Sequence, residues 1–123
     1  MSVDVTVKGL DEMKAYGKRV FVTVGAELGI SSFGINVERW PANCDRHPEH
    51  DEAEVGQEEI YVPLSGSCVL IADGEEFQLE PGVFARVGPR QRRRIVTRDD
   101  PVDLLCLGGI PGEAFRASGP ASR

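Results

Sequence analysis

No apolar run in this sequence approaches the roughly 20 residues of a membrane-spanning helix, so a helical membrane protein is not expected. Cysteine is scarce and odd in number. Cys44, Cys68 and Cys106 show no CxxC spacing, which argues against a disulfide framework, and Cys68 and Cys106 sit in apolar runs as small hydrophobes. Basic charge is short, with 14 Lys and Arg against 20 Asp and Glu and a formal net charge of -6. Neither nucleic acid nor an anionic membrane is therefore expected as a partner. The amino terminus places acids among its few bases and lacks the apolar stretch of a secretory signal, so a cytoplasmic protein is expected. There is no nucleophile elbow, glycine-rich phosphate loop or HExxH pair, and no internal repeat or long amphipathic helix. A chain of 123 residues has room for one domain, expected to span 1–123 with a core at about 20–107, an amino-terminal arm at 1–19 and a loose tail at 108–123.

What the sequence does hold is short strands and turns. Val3, Val5 and Val7 alternate as a strand or a partner-crossing arm, Leu10 to Tyr16 reads as one or two helical turns ended by Gly17, and Val20 to Val24 reads as a strand. Gly25 to Ser32 reads as a loop, followed by a strand from Ile35 to Trp40 and an acidic looped segment from Pro41 to Gly56. A meander follows: Glu59 to Leu64, a Ser65-Gly66 turn, Ser67 to Ala72, an Asp73-Gly74 turn, and Glu75 to Leu79. Val83 to Val87, Arg92 to Thr97 and Val102 to Leu107 complete the strands. Closely spaced strands with little helix predict an all-β sandwich or barrel. Phe84, Val69, Ile71 and Leu79 are expected in its core. Ile60, Val62 and Leu64 are apolar on one side while Glu59, Tyr61 and Pro63 occupy the other, so both faces of that strand are expected to be covered. A second copy of the chain would cover the outer one, hence an expected homodimer.

Charge is unevenly placed. From Asp45 to Glu59 there are seven acids and one arginine, and from Arg86 to Arg98 six arginines and no acid, so the two blocks are expected to face one another. On a strand Arg92 and Arg94 point one way and Arg93 and Ile95 the other, which divides the arginines between surface and interior rather than building a nucleic-acid patch.

The stretch GQEEIYVPLSGSCVLIADGEEFQLEPG resembles the heart of a cupin, the small double-stranded β-helix or jelly-roll barrel, with the likeness running from about His50 to Thr97. Glu59 and Gly66 match the end of the family's first motif. Gly82, the strand Val83 to Val87 and the turn Gly88-Pro89 resemble its second. The resemblance implies a barrel interior in which histidines and a glutamate hold one divalent ion, commonly iron, manganese, nickel or zinc. His50 stands at the first histidine position, but the residue two further on is Glu52, and the last histidine position, counted from Gly82, is Arg93.

Arginine has no lone pair to offer a metal. It can replace the metal's charge by forking onto Glu59 and Glu52. The expected pocket is therefore His50, Glu52, Glu59, Tyr61 and Arg93 without a cofactor, in a barrel that binds a small polar molecule or has become structural. The alternative keeps one divalent metal (Mn, Fe, Ni or Zn) on His50, Glu52 and Glu59 with water, in an enzyme of the dioxygenase, isomerase or epimerase kind. Cys44, His47 and His50 recur every third residue, but Pro48 breaks the helix that would align the histidines, and His47 is expected as a surface residue.

Overall fold

The structure is a computed structural model, and it describes residues 3–112. Among these are nine strands: β1 (Ala15–Tyr16), β2 (Phe21–Val22), β3 (Gly34–Trp40), β4 (Glu58–Gly66), β5 (Cys68–Ala72), β6 (Glu75–Leu79), β7 (Ala85–Val87), β8 (Arg94–Val96) and β9 (Val102–Gly109). One short helix, α1 (Val24–Leu28), separates β2 from β3. The strands form a six-stranded sheet in the order β1-β2-β3-β9-β4-β7 and a three-stranded sheet in the order β6-β5-β8. All pairings are antiparallel. The last strand, β9, lies inside the large sheet, between β3 and β4.

Period-two alternation places the core between the sheets. Val102, Leu104 and Cys106 of β9 face Cys68 and Leu70 of β5, with Trp40, Tyr61, Leu79, Val87 and Ile95 completing one buried cluster. The fully buried Leu104 alone is worth about 1.5–3 kcal/mol relative to exposure. The expected turn at Ser65-Gly66, and with it the meander, does not form: both residues stay in β4, paired with Asp103 and Val102 of β9, and β5 joins the other sheet. Gly66 has φ +72°, and a Cβ there would lie 1.8 Å from the carbonyl oxygen of Pro101.

The outer face of the large sheet has its own cover. Val22, Val24 and Val37 are buried against Leu10, Met13, Ala15, Leu28, Ile35 and Leu105. This cover lies over β2, β3 and Leu105 of β9 and includes no residue of β4, the strand for which a second copy had been expected as cover. Ile60 and Leu64 remain 37% and 52% exposed on that face.

The segment 41–57 does not hang free. Thr97 N–H donates to the Cys44 carbonyl at 2.9 Å, Asn43 N–H to the Arg98 carbonyl at 2.7 Å, and His50 and Arg93 exchange backbone bonds of 3.0 and 2.9 Å. The Thr97 hydroxyl donates to the Pro41 carbonyl and accepts from Cys44 N–H. The segment is therefore stitched along the edge of β8 that β5 leaves open, which protects that edge from outside pairing.

Several expectations are corrected. Val3, Val5 and Val7 are 82%, 68% and 86% exposed and form no strand, because nothing among the described residues lies alongside to bury them. Leu10–Glu12 is a single 3-10 turn and Ala15–Tyr16 is extended. The run from Val20 keeps only Phe21–Val22 as strand, since Val24 opens α1, which continues through Leu28 where a loop was expected from Gly25. Gly29, in the left-handed region at φ 77°, ends that helix. β7 begins at Ala85, leaving Phe84 70% exposed rather than in the core, and Ile71 is half-buried. β9 continues through Gly109, and the tail from 113 onward lies outside the described residues.

Candidate functional site

Arg93 precedes β8 and shares the inward side with Ile95, while Arg92 is exposed and Arg94 half-buried, as alternation requires. The Arg93 side chain has no exposed surface. Its Nη2 donates to Glu59 Oε1, its Nε to the Tyr61 hydroxyl at 3.2 Å, and its Nη1 to the Gln91 carbonyl at 2.8 Å and the Gly88 carbonyl at 3.5 Å. Glu59 and Tyr61 are two apart on β4 and share its inner face. The Tyr61 hydroxyl donates to Glu59 Oε1 at 2.6 Å. Burial first, then donation to Glu59, pushes the Tyr61 phenol far above its ordinary range. Burial works against the Arg93 charge, but the bonds to Tyr61 and Glu59 outweigh it and hold the guanidinium pKa above its usual value. This centre is a buried ion pair with the tyrosine shared between both partners.

Beside it, Gln57 Nε2 reaches Glu59 Oε2 at 3.2 Å and Glu52 Oε1 at 3.3 Å. The space for Gln57 depends on β9, because a Cβ at Gly108 would meet its amide at 3.2 Å. Glu52 Oε2 lies 3.2 Å from His50 Nε2, and His50 Nδ1 lies 3.1 Å from the Pro48 carbonyl. The structure thus brings His50, Glu52, Glu59, Tyr61 and Arg93 to one place. Gln57 and the carbonyls of Gly88 and Gln91 were not foreseen, and nothing in their sequence context distinguishes them. The opposed charge blocks do meet: Arg86 Nε reaches Glu58 at 3.2 Å and Arg92 reaches Glu49 at 3.8 Å, in addition to Arg93 and Glu59.

His50, Glu52 and Glu59 each offer one atom within 4.8 Å of the others, the spacing of a metal site. As arranged, the three side chains already carry contacts that an ion would have to displace. Both Glu59 oxygens already accept hydrogen bonds, Glu52 is held by Gln57 and His50, and a permanently charged guanidinium lies on the carboxylate the ion would need.

A second polar cluster lies on the inner side of β3. Glu38 Oε1 accepts from Trp40 Nε1 at 2.8 Å and lies 3.3 Å from His47 Nε2. Burial opposes the Glu38 charge, but the bonds from His47 and Trp40 bring its pKa below the usual 4.5. His47 is 5% exposed, which corrects the expected surface residue. Its ring stands 5.5 Å from the Trp40 ring and 5.6 Å from the His50 ring, and its Nδ1 is buried with no hydrogen-bond partner among the described residues. Cys44 lies in the main core and is not a partner of either histidine.

No family model and no curated protein matches the sequence. Solved structures do resemble the fold. A cupin protein from Bacteroides fragilis superposes with a TM-score of 0.66 at 24% identity, over 85% of this chain and 88% of that one. A sugar phosphate isomerase from the cupin superfamily, from Silicibacter pomeroyi, gives 0.63 at 27% identity, over 72% of this chain and 57% of that one. The DMSP lyase DddQ from Ruegeria pomeroyi gives 0.57 at 26% identity, over 68% and 41%. The chain has the cupin superfamily fold: two antiparallel sheets with almost no helix, as in the Bacteroides protein. It spans little more than half of the isomerase and less than half of the lyase. No helix among the described residues is long and apolar enough to cross a membrane.

Proposed function

We propose that this chain is a small-molecule-binding barrel in which Arg93 takes the place of a metal at the centre. The supporting observation is the fully buried Arg93 side chain on Glu59 and Tyr61. A fixed internal cation satisfies Glu59 without an ion, and its rigidity suits a binding role. Protein purified without a histidine tag should carry no stoichiometric Mn, Fe, Ni or Zn, and its melting temperature should be unchanged by chelator. Stoichiometric metal that stabilises the fold would overturn this reading. It would favour the second one, a metal-dependent enzyme of the isomerase or lyase kind, which draws on the spacing of His50, Glu52 and Glu59 and on the structural neighbours. The three free, buried thiols accord with a reducing cytoplasm.

The homodimer is assigned to the uncovered part of the large sheet. Leu107 and Ile60 pair across β9 and β4, flanked by the exposed Phe33 and Ile110. Sedimentation equilibrium at micromolar concentration should give a dimer that Ile60→Lys converts to monomer. A wild-type monomer would exclude this face as an interface.

A further inference from the structure

β6 and β7 are edge strands of different sheets, so no ladder closes the barrel between them. The turn that joins them, closed by Val83 N–H on the Glu80 carbonyl at 2.9 Å, leaves a cleft. Its volume is about 820 Å³, within the range of about 300–1,000 Å³ typical of small-molecule sites. Its walls come from both sheets: Leu70 and Leu79 from the small one, Ala85 and Val87 from the large one. Phe77 pairs with Leu70 across the ladder and so points inward, yet it is 45% exposed. An inward aromatic half open to water marks a barrel interior that the chain does not fill. Val83 and Phe84 line the same cleft and are 44% and 70% exposed.

At one end the cleft is bounded by Gly88 and Gln91, whose carbonyls hold Arg93. The lining includes none of His50, Glu52, Glu59, Tyr61 or Arg93, so its chemistry is separate from the central ion pair. Two charged residues border it. Glu76 is bonded to Arg98 at 3.0 Å. Arg86 touches Glu58 only through Nε, and its Nη1 and Nη2 have no hydrogen-bond partner among the described residues. Arg86 pairs with Ile60 and so leaves β7 on the outer face; both nitrogens lie 3.9 Å from where a Cβ at Gly88 would sit, at the rim of the cleft rather than inside it. An apolar chamber with two guanidinium donors to spare at its rim matches a molecule with an apolar body and one carboxylate.

We propose that the cleft between β6 and β7 binds a small organic acid, its aromatic or aliphatic body among Leu70, Phe77, Leu79, Val83 and Phe84 and its carboxylate on Arg86. This rests on the reading of the chain as a small-molecule binder, and it replaces the small polar ligand expected from the central site by an amphipathic one. The test is calorimetry on the full chain with 4-phenylbutyrate, its neutral amide and a sugar phosphate, with amide chemical shifts locating the site. The expected result is that phenylbutyrate binds and shifts residues of β6 and β7. Phe84→Ser, at an exposed position that spares folding, should weaken it about tenfold, or about 1.4 kcal/mol. Arg86→Gln should weaken the acid but not the amide. Ala85→Trp, if folded, should abolish both. Equal affinity for acid and amide would overturn the carboxylate assignment. Binding of the sugar phosphate alone would overturn the apolar ligand class while leaving the binding role intact. If none of the three binds, both readings fail.

Discussion

Glu59 and Glu38 are carboxylates turned inward from the strands that flank β9, and they are neutralised in different ways. Glu59 has a permanent cation, a phenol and an amide on its two oxygens. Glu38 has an indole N–H and a histidine, and that histidine keeps a buried nitrogen without a partner. The first centre is held by a guanidinium, which is permanently charged. The second has no permanent cation against its carboxylate. One barrel thus neutralises two inward carboxylates by different means.

The sharpest way to break this contrast is Arg93→Ala, which strands Glu59. A loss of about 3–5 kcal/mol in urea unfolding is expected. Pairing Arg93→Met with Glu59→Gln should recover much of it, because no charge is then left alone; a double variant as unstable as Arg93→Ala would mean that packing, not charge, dominates. Next in size, Tyr61→Phe removes the hydroxyl that both partners share and should cost about 1–3 kcal/mol, with a loss under 0.5 kcal/mol showing that the shared tyrosine contributes little.

The Glu38 cluster should respond to acid instead. Its folded pKa lies below the usual 4.5, with burial opposed and outweighed by the bonds from His47 and Trp40. The stabilisation is therefore complete above about pH 4.5 and is lost as pH falls through the lower folded value. Glu38→Gln should flatten the acid limb of stability against pH, and an unchanged limb would assign acid loss to other carboxylates. The smallest effect is on chemistry at Cys68, whose thiol burial pushes up to about 12. Labelling of Cys68 in the native protein at pH 8 should wait on unfolding, and rapid labelling would show the interior more open than its packing implies.

The barrel was legible because its strands obey period two and its turns use Asp-Gly and Pro-Gly, whereas Ser65-Gly66, which reads as a turn, stays in β4. The five residues of the central site were legible because Arg93 and Glu59 sit at spaced positions of a recognisable pattern. The Glu38 cluster was not. A glutamate alternating with valine on β3 reads as surface, and only the folding of 41–50 along β8 reveals that this position faces inward and that His47 covers it. α1 was hidden for a related reason: Val24–Leu28 is too short for helical periodicity, and Gly25 within it and Gly29 just past it read as loop. The cleft depends on which strands end at the sheet edges, a property of topology rather than of any residue's neighbours.

The position of β9 bears on how the molecule comes into being on the ribosome. Of the described strands, β9 is the last to be synthesised and is the one that joins β3 to β4, so until it emerges these two parts of the large sheet have no ladder between them. Its Val102, Leu104 and Cys106 complete the inner core at the same moment. Pairings this distant in sequence are slow to form, and the unfinished chain meanwhile presents two open sheet edges. Such a nascent barrel depends on the speed of translation and on protection from its neighbours until its last strand is in place.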